Sequence, residues 1–372
     1  MDINELKNSK YFCMAPFVHI RNVSGIPSPC CMIKENLIDC HTPRNLNSAF
    51  ISPEWENFRQ EMMKNKFNPN CTNCYIEEDN NLMSLRKNLN EHHLSFSNIK
   101  NPKIRDIDMA MSNKCNFKCV TCGIDNSSAW YDEEKLLKGL ISRPEFPFEH
   151  DEAILDSSKP LEDVNIEDIR VIRMLGGEPF LDKKFLSFLK KLKLEEVKIF
   201  FVTNCSIFPK VWLETLSKAK ELVVMFSIDG IDEVGEFVRY GYKQRVFDRN
   251  LKKWLNFLQT KKTTIYYHFV CHIMNVLNYD NTIKYLKQFD GKIWLSMLHT
   301  PEYLNLKFLP DNIKDIIESK VKSDSILKHM KSGFYDKKHC DDFLKYIYFL
   351  ETHRKTIPVE IDNIFNMIVR KL

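Results

Sequence analysis

The sequence predicts an α/β protein in which parallel strands alternate with helices. Three observations support this fold class. Strand-like and helix-like segments alternate between about residues 100 and 300. Three cysteines at CxxxCxxC spacing, Cys115, Cys119 and Cys122, directly follow the first strand of that series. A glycine pair, Gly176 and Gly177, follows the second strand. Motifs at the carboxyl ends of strands lie where the active sites of α/β barrels are found.

Six strands are predicted in this central region, and they cover residues 103–111, 168–175, 196–203, 222–228, 263–273 and 292–298. The near-continuous apolar run in the third strand predicts burial on both of its faces. A helix is expected from Ser127, and another at 183–192. Residues 132–168 are acidic and rich in proline, which indicates either an irregular insertion or a plain solvated connection.

The chain is predicted to have three parts, which are residues 1–100, 101–300 and 301–372. The first part is rich in cysteine. Gly25 there predicts a hairpin turn between strands at 17–23 and 26–32, because glycine tolerates positive φ. Ser52 and Pro53 predict the start of a helix that carries the chain back toward later cysteines. The last part predicts helices at 312–321, at 341–352 and after residue 358.

Composition limits the class of protein. The 372 residues are 44% hydrophobic, which allows a sizeable core, and the formal net charge is +4. Lysines and acidic residues are interleaved without a long basic block, which argues against nucleic acid as a partner. No signal peptide is evident, and no apolar run reaches the ~18 residues that a membrane-spanning helix needs. We therefore expect a cytoplasmic protein with no membrane association, whose twelve cysteines are metal ligands or free thiols.

The CxxxCxxC motif predicts an iron–sulfur cluster with an open coordination position. Cys115, Cys119 and Cys122 supply three thiolates, whereas a 4Fe–4S cluster has four irons. An open position is what catalytic metal sites keep and structural sites close. The alternatives are a zinc site or three cysteines that bind no metal, although zinc sites usually show paired CxxC or CxxC/HxxxH spacings.

Four motifs in order resemble the radical S-adenosylmethionine (radical SAM) superfamily. They are the CxxxCxxC motif, a GGEP motif at Gly176–Pro179, a TN motif at Thr203–Asn204 and an SIDG motif at Ser227–Gly230. The last is seen in many members that modify peptides and proteins. The resemblance implies a partial (β/α)6 TIM-type barrel, with SAM bound to the fourth iron of the 4Fe–4S cluster.

The resemblance also implies which residues contact SAM. Gly176, Gly177 and Glu178 would receive its amino group, Asn204 ends the TN strand, Ser227 would contact the ribose, and Arg239 matches an arginine that contacts SAM in sulfatase-maturating enzymes. The alternatives are an exposed acid in an ordinary turn for Glu178 and a surface arginine on a helix for Arg239. Cys205 stands where the family commonly has glycine, and we expect a buried thiol there. His268 and Cys271 in the fifth strand are possible substrate contacts, but packed residues are the stronger expectation.

A second cysteine set precedes the predicted barrel. Cys13, Cys30, Cys71 and Cys74, together with the Ser84–Arg86 segment, resemble the twitch module of radical SAM enzymes, a shortened SPASM domain. The resemblance implies an auxiliary 4Fe–4S cluster held by those four cysteines. Two alternatives remain, since Cys31 could replace Cys30 and a zinc ribbon could use the same four thiols. Cys40 is expected to be a spare thiol.

The expected function follows from the resemblance. A reduced flavodoxin- or ferredoxin-like donor would supply an electron for cleavage of SAM, and the 5′-deoxyadenosyl radical would abstract a substrate hydrogen. A peptide or protein is the expected substrate, and a small natural-product, sugar or aminocyclitol intermediate is the alternative. A metal-stabilised binding protein without activity is a further alternative, which the GGEP and SIDG motifs argue against. Near-neutral charge argues against RNA modification.

Overall fold

A computed structural model describes residues 5–6, 9–23, 26–33, 45–79, 83–93, 99–141, 164–354 and 357–369, without the side chains of residues 365 and 367–369. The chain divides into two compact units. The first consists of Met1–Ser112, Leu155–Phe201 and Trp212–Glu221, and the second of Asn113–Ile154, Val202–Val211 and Leu222–Leu372. The predicted turn at Gly25, the spare thiol Cys40 and most of the proline-rich insertion lie outside the described residues.

The helices and strands are numbered in chain order. They are α1 (Ala15–Val18), β1 (His19–Val23), β2 (Ile26–Ser28), α2 (Leu46–Phe50), α3 (Pro53–Met63), α4 (Thr72–Asp79), α5 (Leu85–His93), β3 (Asp106–Ala110), β4 (Lys118–Cys119), α6 (Tyr131–Leu137), β5 (Val171–Leu175), α7 (Lys183–Leu189), β6 (Lys198–Thr203), α8 (Lys210–Ser217), β7 (Glu221–Ser227), α9 (Asp232–Val238), β8 (Arg239–Tyr240), α10 (Gln244–Leu258), β9 (Thr263–Cys271), α11 (Tyr279–Leu286), β10 (Lys292–Met297), α12 (Asp311–Lys320), α13 (Asp324–Lys331), α14 (Lys337–Arg354) and α15 (Val359–Val369).

The first unit contains a mostly parallel sheet. Its strand order is β2-β1-β3-β5-β6, in which only the β1–β2 hairpin is antiparallel. The amino-terminal hairpin therefore extends the sheet that carries the later strands, because β1 pairs in parallel with β3. Sequence reasoning places the hairpin in a separate module, since nothing in a strand's own sequence names a partner more than 80 residues away.

Four in-register residues form a row across one face of this sheet, which we call the polar row. Arg21, Asp108, Arg173 and Phe200 are successive partners across β1, β3, β5 and β6, so their side chains share one face. The opposite face is buried and mostly apolar, with Asn22 its polar residue on β1. Burial in β6 alternates residue by residue, with Ile199 and Phe201 buried and Phe200 half-buried. The expected burial of β6 on both faces is therefore wrong, because its second face lines the polar row.

The second unit contains a parallel sheet of order β7-β9-β10 and a small antiparallel pair, β4 with β8. Helices α12, α13, α14 and α15 surround a large apolar core in this unit.

Ser52 caps α3 in the first unit by accepting a hydrogen bond from Trp55 N–H, as the sequence predicts. None of the helices in the described ranges is both long and apolar enough to cross a membrane.

The α/β class and the six predicted strands are confirmed. The six correspond to β3, β5, β6, β7, β9 and β10, each within a few residues of its expected bounds. The first predicted strand of the hairpin begins later than expected, because Ala15–Val18 forms a helical turn with Pro16 in its first positions. Helix α13 is an addition that the sequence reasoning did not include. The partial barrel and the three-part division of the chain stay predictions.

Candidate cofactor and metal sites

The CxxxCxxC cysteines lie in one short loop of the second unit. Cys122 N–H donates a 3.0 Å hydrogen bond to the Cys119 carbonyl, so the CxxC half forms a tight turn. Phe117 N–H and Asn204 Nδ2 both point at the Cys115 sulfur, at 3.5 and 3.8 Å. Hydrogen bonds to sulfur are one of the means by which proteins tune iron–sulfur clusters. Three thiols and their donors thus fit the three-ligand cluster that the motif predicts.

The electrostatics of this loop favour one deprotonated thiol. A hydrogen bond from the Cys122 thiol lowers the pKa of Cys119, and the Arg239 charge adds to this effect while burial opposes it. The same bond, together with burial, raises the pKa of Cys122. A thiol with a lowered pKa beside an arginine is the more ready to bind a metal as thiolate.

Arg239 is a buried cation beside the cysteine loop. It is 8% exposed, pairs with Asp229 of the SIDG motif, and is the in-register partner of Cys119 across β4 and β8. Its guanidinium lies 5.9 Å from the centre of the Phe117 ring. The reading of Arg239 as a surface residue is therefore wrong. Its Nε has no hydrogen-bond partner among the described residues, which leaves a donor for a ligand.

The other predicted positions of the second unit lie at strand ends or beside them. Ser227 ends β7 and is in register with His268 of β9. His268 shares a 2.9 Å hydrogen bond with Ser296 Oγ on β10 and is half-buried. Cys271 is packed in the apolar core, as expected. Cys205 is buried, also as expected, and has a φ of +58°.

The GGEP turn belongs to the first unit, and its backbone requires glycine. Gly176 has a φ of +85°, and a Cβ there would lie 2.5 Å from the Ala110 Cβ and 2.7 Å from the Ser112 carbonyl oxygen. Glu178 is only 1% exposed, so the alternative of an exposed acid in an ordinary turn is wrong. A buried carboxylate needs hydrogen-bonded or charged partners.

The four amino-terminal cysteines surround one cavity of the first unit. Its empty volume is about 310 Å³ including the open mouth, and Cys13, Cys30, Cys71 and Cys74 line it with Leu85 and Arg86 of the Ser-Leu-Arg segment. Burial raises the pKa of all four thiols, that of Cys74 to about 12. Buried thiols of this kind ionise readily only when a metal offsets their charge.

Three of the four sulfurs also have a backbone N–H donor. Ala15 N–H lies 3.4 Å from the Cys13 sulfur. Hydrogen bonds from the backbone N–H groups of Met32 and Arg86 partly offset the effect of burial on the pKa of Cys30 and Cys74, a donor pattern expected around cluster thiolates. The Tyr75 hydroxyl lies beside Cys71 and donates a 3.4 Å hydrogen bond to the Tyr11 carbonyl. Arg86 itself is buried and donates a 2.8 Å hydrogen bond to the Phe12 carbonyl, which ties Ser84–Arg86 to the segment that carries Cys13.

The structure distinguishes the adjacent cysteines Cys30 and Cys31 by position. Cys30 lines the cavity with the other three thiols, whereas Cys31 is exposed. The charges that act on Cys31 come from Asp108, Arg21 and Arg173 of the polar row instead. No three His, Cys, Asp or Glu side chains in the described part of the chain converge as ligands of a single metal ion. A cubane cluster spreads its thiolates over different irons, so it does not require such convergence.

Residues 109–285 match the model of the radical SAM superfamily. This region of the chain is therefore similar to the radical SAM superfamily. The matched range contains the cysteine loop, the GGEP turn, Asn204, the SIDG motif and Arg239.

Solved structures similar to this chain include native anSMEcpe with bound AdoMet and Cp18Cys peptide, at 18% identity and a TM-score of 0.36, and native anSMEcpe with bound AdoMet, at 19% and 0.35. A third is native anSMEcpe with bound AdoMet and Kp18Cys peptide, at 20% and 0.35. Each match covers 57% of this chain and 60–61% of the other, so the chain spans about three fifths of the structures it matches.

Several residues that contact the CxxxCxxC loop belong to no sequence motif. The Tyr346 hydroxyl donates a 3.0 Å hydrogen bond to the Val120 carbonyl, and Trp130 Nε1 donates one of 3.1 Å to the Cys119 carbonyl. Arg354 lies over the Trp130 ring, 4.9 Å from its centre. Gly241 has a φ of +109° and packs against Phe117. No local sequence pattern marks these residues, because their roles depend on contacts with residues that are distant in sequence.

Proposed function

We propose that this protein is a radical SAM enzyme with an auxiliary 4Fe–4S cluster and that it oxidises or otherwise modifies a peptide or protein substrate. The observation that carries the proposal is the cavity lined by Cys13, Cys30, Cys71 and Cys74, three of whose sulfurs have a backbone N–H donor, in a chain of which residues 109–285 match the radical SAM superfamily. The peptide substrate rests on the SIDG motif, which resembles that of peptide-modifying members.

The first cluster would be held by Cys115, Cys119 and Cys122. When bound, that cluster and SAM supply a 5′-deoxyadenosyl radical able to abstract a substrate hydrogen. Phe117 N–H and Asn204 Nδ2 place donors at the Cys115 sulfur and thereby stabilise its thiolate. The buried Arg239 guanidinium offsets negative charge at Cys119.

We propose SAM contacts for the GGEP residues of the first unit and, separately, for Ser227 and Arg239 of the second. Gly176 and Gly177 present backbone groups without a side chain between them and a ligand. Glu178 would accept from the amino group, and Ser227 would contact the ribose. The buried Arg239 Nε–H is a further donor for SAM, since that atom has no partner among the residues described.

The second thiol set favours electron transfer over substrate ligation. Four cysteines match the four irons of a cubane, so no iron would be left for a substrate. Cys13 precedes α1, Cys30 follows β2, Cys71 precedes α4 and Cys74 lies in α4. The proposed partners are a flavodoxin- or ferredoxin-like electron donor and the peptide substrate, with all of them in the cytoplasm.

The decisive experiment is anaerobic. The purified protein is analysed for iron and sulfide, reduced with dithionite in the presence of SAM, and assayed for 5′-deoxyadenosine. We expect about eight irons per chain and 5′-deoxyadenosine formation. Cys115→Ala should abolish SAM cleavage, whereas Cys340→Ala, which alters a buried thiol of the apolar core, should not. Zinc in place of iron together with no SAM cleavage would overturn the proposal in favour of a metal-stabilised binding protein.

Adjacent cysteines offer a matched test of the auxiliary site. Cys30→Ala should lower the iron content from about eight to about four per chain, while Cys31→Ala should leave it unchanged. Equal iron loss in the two variants would contradict the ligand set. The 5′-deoxyadenosine assay on the same samples reports on the first cluster separately.

A further inference from the structure

A polar row in the sheet of the first unit contains two groups with unused hydrogen-bonding capacity. Arg21, Asp108 and Arg173 are in-register partners on β1, β3 and β5 and share one face. Asp108 is 6% exposed, and its Oδ1 has no hydrogen-bond partner among the described residues. Arg21 Nε is likewise buried without a partner in the part of the chain that the structure describes. An acceptor and a donor without partners therefore belong to in-register residues of adjacent strands.

Asp106 lies two residues before Asp108 on the same face of β3, and its carboxylate has hydrogen-bond partners. It accepts hydrogen bonds of 3.0 and 2.9 Å from Arg173 and shares one of 3.0 Å with His93. Arg173 is thus committed to Asp106, and its other contact is with the ring of Phe200, 5.8 Å away. Asp106 and Asp108 therefore differ in their hydrogen bonding among the described residues, and of the two only Asp108 has a carboxylate oxygen available for a ligand.

Buried polar groups without partners are rare in folded proteins and call for a ligand or another explanation. Leaving such a group unpaired costs the full desolvation of that group. The site does not belong to the thiol cavity, since Cys13, Cys30, Cys71 and Cys74 are not in this row. It borders that cavity, however, because Cys31 follows Cys30 directly and lies within the fields of Asp108, Arg21 and Arg173.

We propose that Arg21 and Asp108 bind a hydroxyl group of the substrate. A single hydroxyl meets both needs, because its oxygen accepts from Arg21 Nε–H and its hydrogen is donated to Asp108 Oδ1. The inference builds on the proposed function, to which it adds an alcohol-bearing substrate. A seryl or threonyl side chain of a peptide and a free polyol share this chemistry, so the experiment separates the two sources.

The test measures thermal unfolding of the anaerobic holoprotein with three probes. N-acetyl-L-serinamide represents a peptide hydroxyl, myo-inositol a free polyol, and N-acetyl-L-alaninamide lacks the hydroxyl. One hydroxyl probe should raise the unfolding midpoint by about 2 °C at several times its Kd, whereas the alaninamide should not. Sites built to pair a hydroxyl discriminate strongly against analogues that lack it. The probe that raises the unfolding midpoint shows whether the hydroxyl belongs to a peptide or to a free polyol.

Variants complete the test. Asp108→Ala and Arg21→Ala, which remove the acceptor and the donor, should each abolish the probe-dependent rise, while Arg170→Ala, which alters a surface arginine paired with Glu196, should retain it. The two variants remove opposite partners, so a folding defect in one leaves the other informative. Equal responses to serinamide, inositol and alaninamide, or a rise that persists in both variants, would overturn the proposal. Iron content and 5′-deoxyadenosine formation in the same wild-type preparation report on the proposed function independently of the probes.

Discussion

The Tyr346 hydroxyl on α14 donates a 3.0 Å hydrogen bond to the carbonyl of Val120, which lies between the second and third cysteines of the CxxxCxxC motif. The two residues are 226 positions apart in sequence, and both are fully buried. A carboxyl-terminal helix therefore fixes the backbone of the loop on which the proposed catalytic cluster depends.

Tyr346→Phe should weaken this loop without changing its shape. The variant leaves the buried Val120 carbonyl without its donor, so we expect a loss of about 1–3 kcal/mol in the free energy of unfolding. Iron should also be lost faster to a chelator at the radical SAM site. Tyr348→Phe is the control, because Tyr348 lies on the same helix and is 53% exposed. Identical iron-loss rates in the two variants would show that the Tyr346 bond does not support the loop.

Gly241→Ala should destabilise the same loop by a steric clash. A Cβ at Gly241 would lie 2.7 Å from Phe117 Cδ1 and 2.9 Å from the Asn116 carbonyl oxygen, and φ there is +109°. Gly139 provides the control, since its φ is +84° but nothing lies within 4 Å of an added Cβ. Gly139→Ala should cost about 1 kcal/mol for the backbone alone, and Gly241→Ala clearly more. Chemical denaturation measures the free energy of unfolding of both variants. Equal losses would mean that the loop accommodates the added methyl group without a further loss of stability.

Local sequence patterns predicted what depends on local structure. The six strands follow from apolar runs that end at glycine or at polar motifs, and the cysteine spacing identified the loop that holds Cys115. The amino-terminal hairpin was placed in a separate module, because the pairing of His19 with Asp106 joins distant segments and leaves no local trace. Tyr346 and Gly241 could not be predicted for the same reason, since only the folded chain brings them to the loop. The buried state of Arg239 likewise depends on its partner Asp229.

Asp108 should give the protein an unusual dependence on pH. Burial raises the pKa of its carboxyl from an ordinary value near 4 to about 6, so the native state binds more protons than the unfolded state between those values. Stability contributed by protonated Asp108 is therefore lost as pH rises through about 6, by roughly 3 kcal/mol in total.

The comparison of wild type with Asp108→Asn isolates this effect. Burial lowers the pKa values of His19, His272 and His329 to about 4, and they impose the opposite trend, but they are present in both proteins. The stability of the variant relative to wild type should rise between pH 5 and pH 7, as measured by denaturant titration at each pH. A constant difference over that range would contradict the raised pKa.

Cys205 tests why this position of the TN motif commonly holds glycine in the family that the motif resembles. Its φ of +58° lies in the left-handed region, which costs a residue with a Cβ about 1 kcal/mol relative to glycine. In most contexts alanine stabilises a chain relative to glycine, because glycine loses more backbone entropy on folding. Here we expect the reverse, with Cys205→Gly more stable than Cys205→Ala by up to about 1 kcal/mol. Both variants delete the same buried thiol, so the cost of the lost side chain is nearly the same and the comparison isolates the backbone. If the alanine variant proves the more stable by denaturant titration, backbone strain is not what favours glycine at this turn.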